Sequence, residues 1–237
     1  MSARNLLLSL ILAVVISLPF VQADSGPYVI PLEGPRWNSN IIHVHVTSGQ
    51  DWQQNQTYQA MQVWNQAQLW FAKEYFPNSS VYTFEVGDSS APVQVTLLNS
   101  STVVGSIQGW TDYHAPNGIM ESANVKIGAK NSAEAVLLLS VHELGHVLGI
   151  GHVSCCEKDV MNPYPVTDHV SAFPSTLDLY AVHVLAAGFV PTFVRLPNNI
   201  PYQTDAPIPT PEFNEYSMIV AISVIGATFC LRRRRSV

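Results

Sequence analysis

Cysteine is almost missing from this 237-residue chain: Cys155, Cys156 and Cys230 are all there is. A disulfide framework is therefore excluded, and the body must stand on a hydrophobic core. Charge is also scarce, at 12% of residues against 47% hydrophobic, with a mean hydropathy of +0.16. Chains disordered from end to end are polar and charged, so that class is excluded too. Basic residues are rarest where the body lies. Five of the eleven sit at the ends, Arg4 and the run 232–235, leaving six against seventeen acids between Asp24 and Glu215. An acidic body repels phosphate backbones, which excludes nucleic acid as a partner. No internal repeat is visible, and the length suits one domain.

The two ends carry signals other than fold. Arg4, the apolar residues 6–18, Pro19 and the small-residue pattern Val21-Gln22-Ala23 read as a secretory signal over residues 1–23. Residues 191–213 hold Pro191, Pro197, Pro201, Pro207, Pro209 and Pro211 among polar neighbours. Proline donates to no ladder, so an extended stalk is expected there rather than core. Residues 214–237 contain an apolar stretch, 218–231, followed by four arginines. Fourteen apolar residues are short of the about twenty of an upright span, but Tyr216, Ser217 and snorkelling arginines lengthen it. The arginines should remain cytoplasmic. Pro211-Glu212-Phe213, the apolar stretch and the basic end together resemble the PEF-type C-terminal sorting signals of archaeal surface proteins, which would imply a sorting enzyme as partner. A plain membrane anchor is the other reading, and both put residues 24–190 on the outer face of the cell membrane. Three glycosylation sequons, at Asn55, Asn78 and Asn99, agree with export.

Within the body, residues 41–46 (Ile-Ile-His-Val-His-Val) are rich in β-formers. Residues 81–86, 93–98, 109–114 and 123–128 predict further strands, with a turn at Pro116-Asn117-Gly118. Tyr58, Met61, Trp64, Leu69, Phe71 and Tyr75 recur near helical spacing, predicting a helix over 56–76 stopped by Pro77. A second helix is expected from a cap at Asn131, with Glu134 closing a capping box, to Leu148 and Gly149. Ser175, with Asp178 in its first turn, caps a third that ends at Gly188. Strands followed by helices indicate an α+β fold.

The second helix ends His142-Glu143-Leu144-Gly145-His146-Val147-Leu148-Gly149-Ile150-Gly151-His152. His142 and His146, four apart, share a helical face and can occupy two positions of a tetrahedral zinc. Gly149 lets the chain leave the helix sharply, and His152 can return as third ligand. The fourth position then stays open, as in catalytic zinc sites. Glu143 stands beside the first ligand, within reach of that open position and free to act as a base.

This pattern resembles the signature of the metzincin zinc endopeptidases, H-E-x-x-H-x-x-G-x-x-H. Nine residues on, Met161 in Val160-Met161-Asn162-Pro163 looks like the Met-turn, and the short gap and following proline are closest to the matrixins. Trp37, the strand 41–46, the helix from Gln56, Gly109-Trp110-Thr111, residues 123–127 and the terminal helix 177–187 follow in matrixin order, over roughly residues 36–188. The resemblance implies a zincin-like mixed twisted sheet with a long active-site helix, the Met-turn and a C-terminal helix. It implies a zinc cofactor held by His142, His146 and His152, Glu143 as general base, Met161 as the floor, and polypeptide substrates lying along the 109–111 edge. The pocket wall would come from residues 163–173.

The departures concern control and accessory metals. No cysteine precedes Cys155, so the matrixin cysteine switch is absent, and 24–36 is too short for a prodomain. His114 and Asp112 are too few to rebuild the structural zinc site of vertebrate matrixins; His43 and His45 read as a solvent face, as do His169 and His183. The acidic body leaves calcium sites open. Cys155 and Cys156 could ligate zinc, form a vicinal disulfide or stay free. The functional expectation is a secreted or surface-anchored zinc endopeptidase. Its rivals are a zinc-containing adhesion module that cleaves nothing and a hydrolase of non-peptide amides. An intact Glu143 argues against the module, because a pure binder needs no base.

Overall fold

The computed structural model describes residues 28–98, 109–128, 132–163 and 172–204. The secretory signal, the sorting tail, Asn131, the Asn99 sequon, His169 and most of the 163–173 wall lie outside them. No helix among the described residues is long and apolar enough to cross a membrane.

The fold is α+β, built on a five-stranded mixed sheet. Its strands are β3 (Ile41–Val46), β4 (Thr83–Val86), β5 (Val93–Leu98), β6 (Gly109–His114) and β8 (Ser122–Gly128), in the order β4-β3-β5-β8-β6. All neighbours are parallel except β6, which runs antiparallel to β8 with Thr111 opposite Val125. Alternation decides which face is covered: Ile42, Val44, Val46, Val93, Val95, Leu97, Ala123, Val125 and Ile127 are buried. The short strand β2 (Arg36–Trp37) pairs with β7 (Ile119–Met120).

Helix α1 (Asp51–Tyr75) and helix α2 (Ala133–Val147) pack together on the sheet. Trp64 is fully buried between them and donates its indole N–H to Val141 O at 2.9 Å. Asn65 holds both the N–H and the C=O of Phe84, so its amide acts as one more ladder partner for β4. The helix starts five residues before the expected Gln56. Its first turn, Asp51-Trp52-Gln53-Gln54-Asn55, shows no apolar period, but Gln53 is buried and its Oε1 accepts from Gln50 N at 2.8 Å. Strand β4 begins at Thr83 rather than Val81, because Tyr82 N is taken by Gln68 Oε1 instead of a strand neighbour. The expected cap of α2 is corrected to Ser132, whose hydroxyl accepts from Ala135 N; Glu134 then falls in the first turn and closes no box.

Helix α3 (Thr176–Ala186) has the expected cap at Ser175, with Asp178 completing a capping box, and Gly188 follows at φ +89°. The stalk expectation needs correction over its described part. Residues 193–195 form β9, antiparallel to β1 (Val29–Pro31), and Val194, Leu196 and Ile200 are buried. Thr176 Oγ1 donates to Pro201 O at 2.8 Å, and Gln203 N donates back to Thr176 Oγ1 at 3.0 Å. Pro191, Pro197 and Pro201 flank this strand and do not interrupt it, which a two-stranded edge tolerates. The packed body therefore continues at least to residue 204.

Candidate metal centre

Three side chains converge where α2 ends. Nε2 of His142 lies 3.2 Å from Nε2 of His146 and 3.2 Å from Nε2 of His152. His142 and His146 are buried on one face of α2, whereas His152 is exposed. The turn between them depends on Gly149, at φ +89°, where a Cβ would also run into Pro35 O. Leu32 bridges Ile150, and Gly151 N donates to Pro31 O at 2.8 Å, so the chain that carries His152 is held from outside.

The far ring nitrogens decide which lone pairs are free. His142 Nδ1 donates to Val160 O at 2.6 Å, and His146 Nδ1 faces both Ile150 O and Glu33 Oε1 at 3.0 Å. A ring that donates from Nδ1 presents an unprotonated Nε2. In their neutral forms the two buried rings thus turn lone pairs toward one spot, a repulsion relieved by a cation there, whether a metal ion or a proton on one Nε2. This donor set fits a metal ion, and imidazole is a common zinc ligand. Burial, with His146 adding to it, pulls His142 down to about 3, keeping that ring neutral. His152, solvent-exposed on one side, is lowered by its partial desolvation against the site and by His146. For His146 burial pulls down too, but the Glu33 hydrogen bond and the Glu33 and Glu143 charges outweigh it and raise the pKa.

Glu143 is buried beside the triad. Its Oε2 accepts from Thr111 Oγ1 of edge strand β6 at 2.8 Å. A Cβ on Gly109 would collide with Glu143 Oε1, so the strand backbone closes on the carboxylate. Burial pushes its pKa up, opposed by His146 and by Thr111. Strand β6 has no partner on its outer side among the described strands.

Met161 is fully buried under the helix, against Gly145, where an added Cβ would strike its Sδ. Asp159 Oδ1 holds Met161 N at 2.9 Å, and Asp159 Oδ2 accepts from Tyr202 at 3.0 Å. Buried Asp178 stands against Asp159; burial first, then the Asp159 charge, raises its pKa well above the usual carboxylate value. Cys155 and Cys156, on the same loop, are joined to each other, so neither is free to ligate a metal. His43 pairs with Glu85, and His114 with Glu121, on exposed surface. His183 stacks on Phe76.

The structure brings together His142, His146, His152, Glu143 and Met161, all singled out in the sequence. Four residues were not foreseen in their present places. Glu33 and Tyr202 come from segments without periodicity, and Asp159 from a loop. Thr111 lies on the expected edge, where only its backbone was given a role.

Comparison with family models and with curated proteins gives no match. Among solved structures, that of myroilysin aligns at 19% identity over 52% of this chain, with a TM-score of 0.35. The chain thus spans about half, 54%, of that solved chain. Fold and site define an α+β protein with a five-stranded mixed sheet that carries a three-histidine cluster able to hold a metal ion.

Proposed function

We propose that this chain is a zinc-dependent endopeptidase of the metzincin kind, closest to the matrixins. The observation that carries the reading is the convergence of three Nε2 atoms beside a buried glutamate at a free strand edge. His142, His146 and His152 would hold the ion, which when bound supplies a Lewis acid and a water of lowered pKa. Glu143 takes a proton from the attacking water and returns it to the leaving amine. The Thr111 bond to Oε2 braces the carboxylate for that transfer. A peptide pairing with the outer edge of β6 would lie extended past Glu143, held mainly by backbone hydrogen bonds. Burial of Glu143 raises its basicity, which suits a general base.

The site of action follows from the chain's ends. The signal exports the body, and the apolar tail with its four arginines keeps it at the outer face of the membrane. A sorting enzyme that recognises Pro211-Glu212-Phe213 would remove the arginines, so the intact mass of the membrane-extracted protein tests this. Hydrolysis of an unfolded protein, measured with and without a chelator, tests the activity. Loss with chelator and return with zinc are expected, and chelator-insensitive hydrolysis would overturn the reading.

A further inference from the structure

We infer that Glu33 is a positioning residue for the metal centre, acting through His146; this rests on the three histidines being a metal site. Glu33 belongs to none of the elements that carry the ligands. It lies in the connection between β1 and β2, ahead of the whole sheet. Yet its carboxylate reaches His146 Nδ1 at 3.0 Å, the nitrogen turned away from the point where the three Nε2 atoms meet.

The contact is built from both sides. Glu33 N donates to Gly149 O at 3.0 Å, and Glu33 O accepts from the Tyr113 hydroxyl of β6 at 3.3 Å. One residue earlier, Leu32 bridges Ile150 and donates from its N to Thr192 O at 3.0 Å. Gly34 then turns the chain away at φ +100°. The Glu33 backbone is thus pinned to the Gly149 turn and to the β6 edge strand, which places its carboxylate beside His146.

The chemistry differs from that at His142, whose Nδ1 meets a carbonyl. A carboxylate accepts a stronger, charge-assisted bond, holds the proton on Nδ1 and makes the opposite nitrogen a better donor to a cation. Ile150 O shares the same N–H, so orientation is secured by the carbonyl and basicity by Glu33. The segment ahead of the sheet is therefore part of the metal centre, and cutting the chain between β1 and β2 should weaken metal retention.

The test is zinc affinity of the exported protein, by competition with a chromogenic chelator, for wild type, Glu33→Gln and Glu33→Ala. Outer-sphere partners of ligating histidines typically contribute about 10–100-fold in metal affinity. We expect Glu33→Ala to raise the zinc Kd by about that factor. Glu33→Gln keeps an acceptor without charge and should raise it less. Melting temperatures of the chelator-treated proteins should agree, since a role confined to the fold would lower them in Glu33→Ala. Wild-type Kd in Glu33→Ala overturns the inference alone. Wild type that takes up no zinc overturns the metal reading and this inference with it. Should Glu33→Ala fail to fold, Glu33→Gln decides: weaker zinc binding supports the assignment, and unchanged binding overturns it.

Discussion

Asp178→Asn should make the protein less sensitive to rising pH. Asp178 is fully buried; its Oδ2 accepts from Ser175 N at 2.8 Å, and its carboxyl stands against Asp159. Burial and the adjacent Asp159 raise its pKa well above that of a free carboxylate. The unfolded chain releases this proton near pH 4, whereas the folded chain retains it to higher pH. Over that interval the native state binds more protons than the unfolded one. Stability is therefore fully present below the unfolded pKa and is lost as pH rises through the folded value. The slope for one proton is about 1.4 kcal/mol per pH unit. Asparagine keeps the cap acceptor and can donate an N–H toward Asp159, but cannot ionise. Urea unfolding of the zinc-saturated proteins from pH 4 to 9 gives the difference curve, in which titrations common to both cancel. We expect the mutant to gain on the wild type as pH rises, then to level off. A flat difference curve would refute the reasoning, since it would mean that Asp178 ionises in both states alike.

Three further outcomes follow from the geometry. Thr111→Val removes a hydrogen bond to a charged group, worth about 1.5–3 kcal/mol, so kcat should fall about 10–100-fold with KM little changed; equal kcat would leave Glu143 unbraced by β6. Ile200→Ala should cost about 2–5 kcal/mol in chemical denaturation, because Ile200 is buried, whereas a residue in a free stalk would cost almost nothing. His146→Ala should abolish stoichiometric zinc uptake in metal analysis, and uptake equal to wild type would remove His146 from the site.

The motif from His142 to His152 was legible because its geometry is local. Four residues along a helix fix a shared face, and a glycine fixes the turn, whatever surrounds them. The sheet strands were legible for a similar reason, since alternation at Ile42, Val44 and Val46 reports a buried face directly. Residues acting across the fold left no such trace. Glu33 reaches His146 over more than a hundred positions of sequence, and Tyr202 reaches Asp159 over 43. The first turn of α1 was missed because Gln53 is buried there by hydrogen bonding, not by hydrophobicity. Proline density misled most. It reports where a ladder is interrupted, but between Pro191 and Pro197 there is room for a three-residue strand with a buried valine.

The central claim is that the three histidines hold zinc while Glu143 performs the proton transfer. One comparison tests both halves: zinc per chain and the rate of hydrolysis of an unfolded protein, for wild type and Glu143→Gln. The account predicts one zinc per chain in both proteins, with hydrolysis lowered by a factor of about 10²–10⁴ in the mutant. Undiminished hydrolysis by Glu143→Gln, or a wild type that binds no zinc, would contradict it.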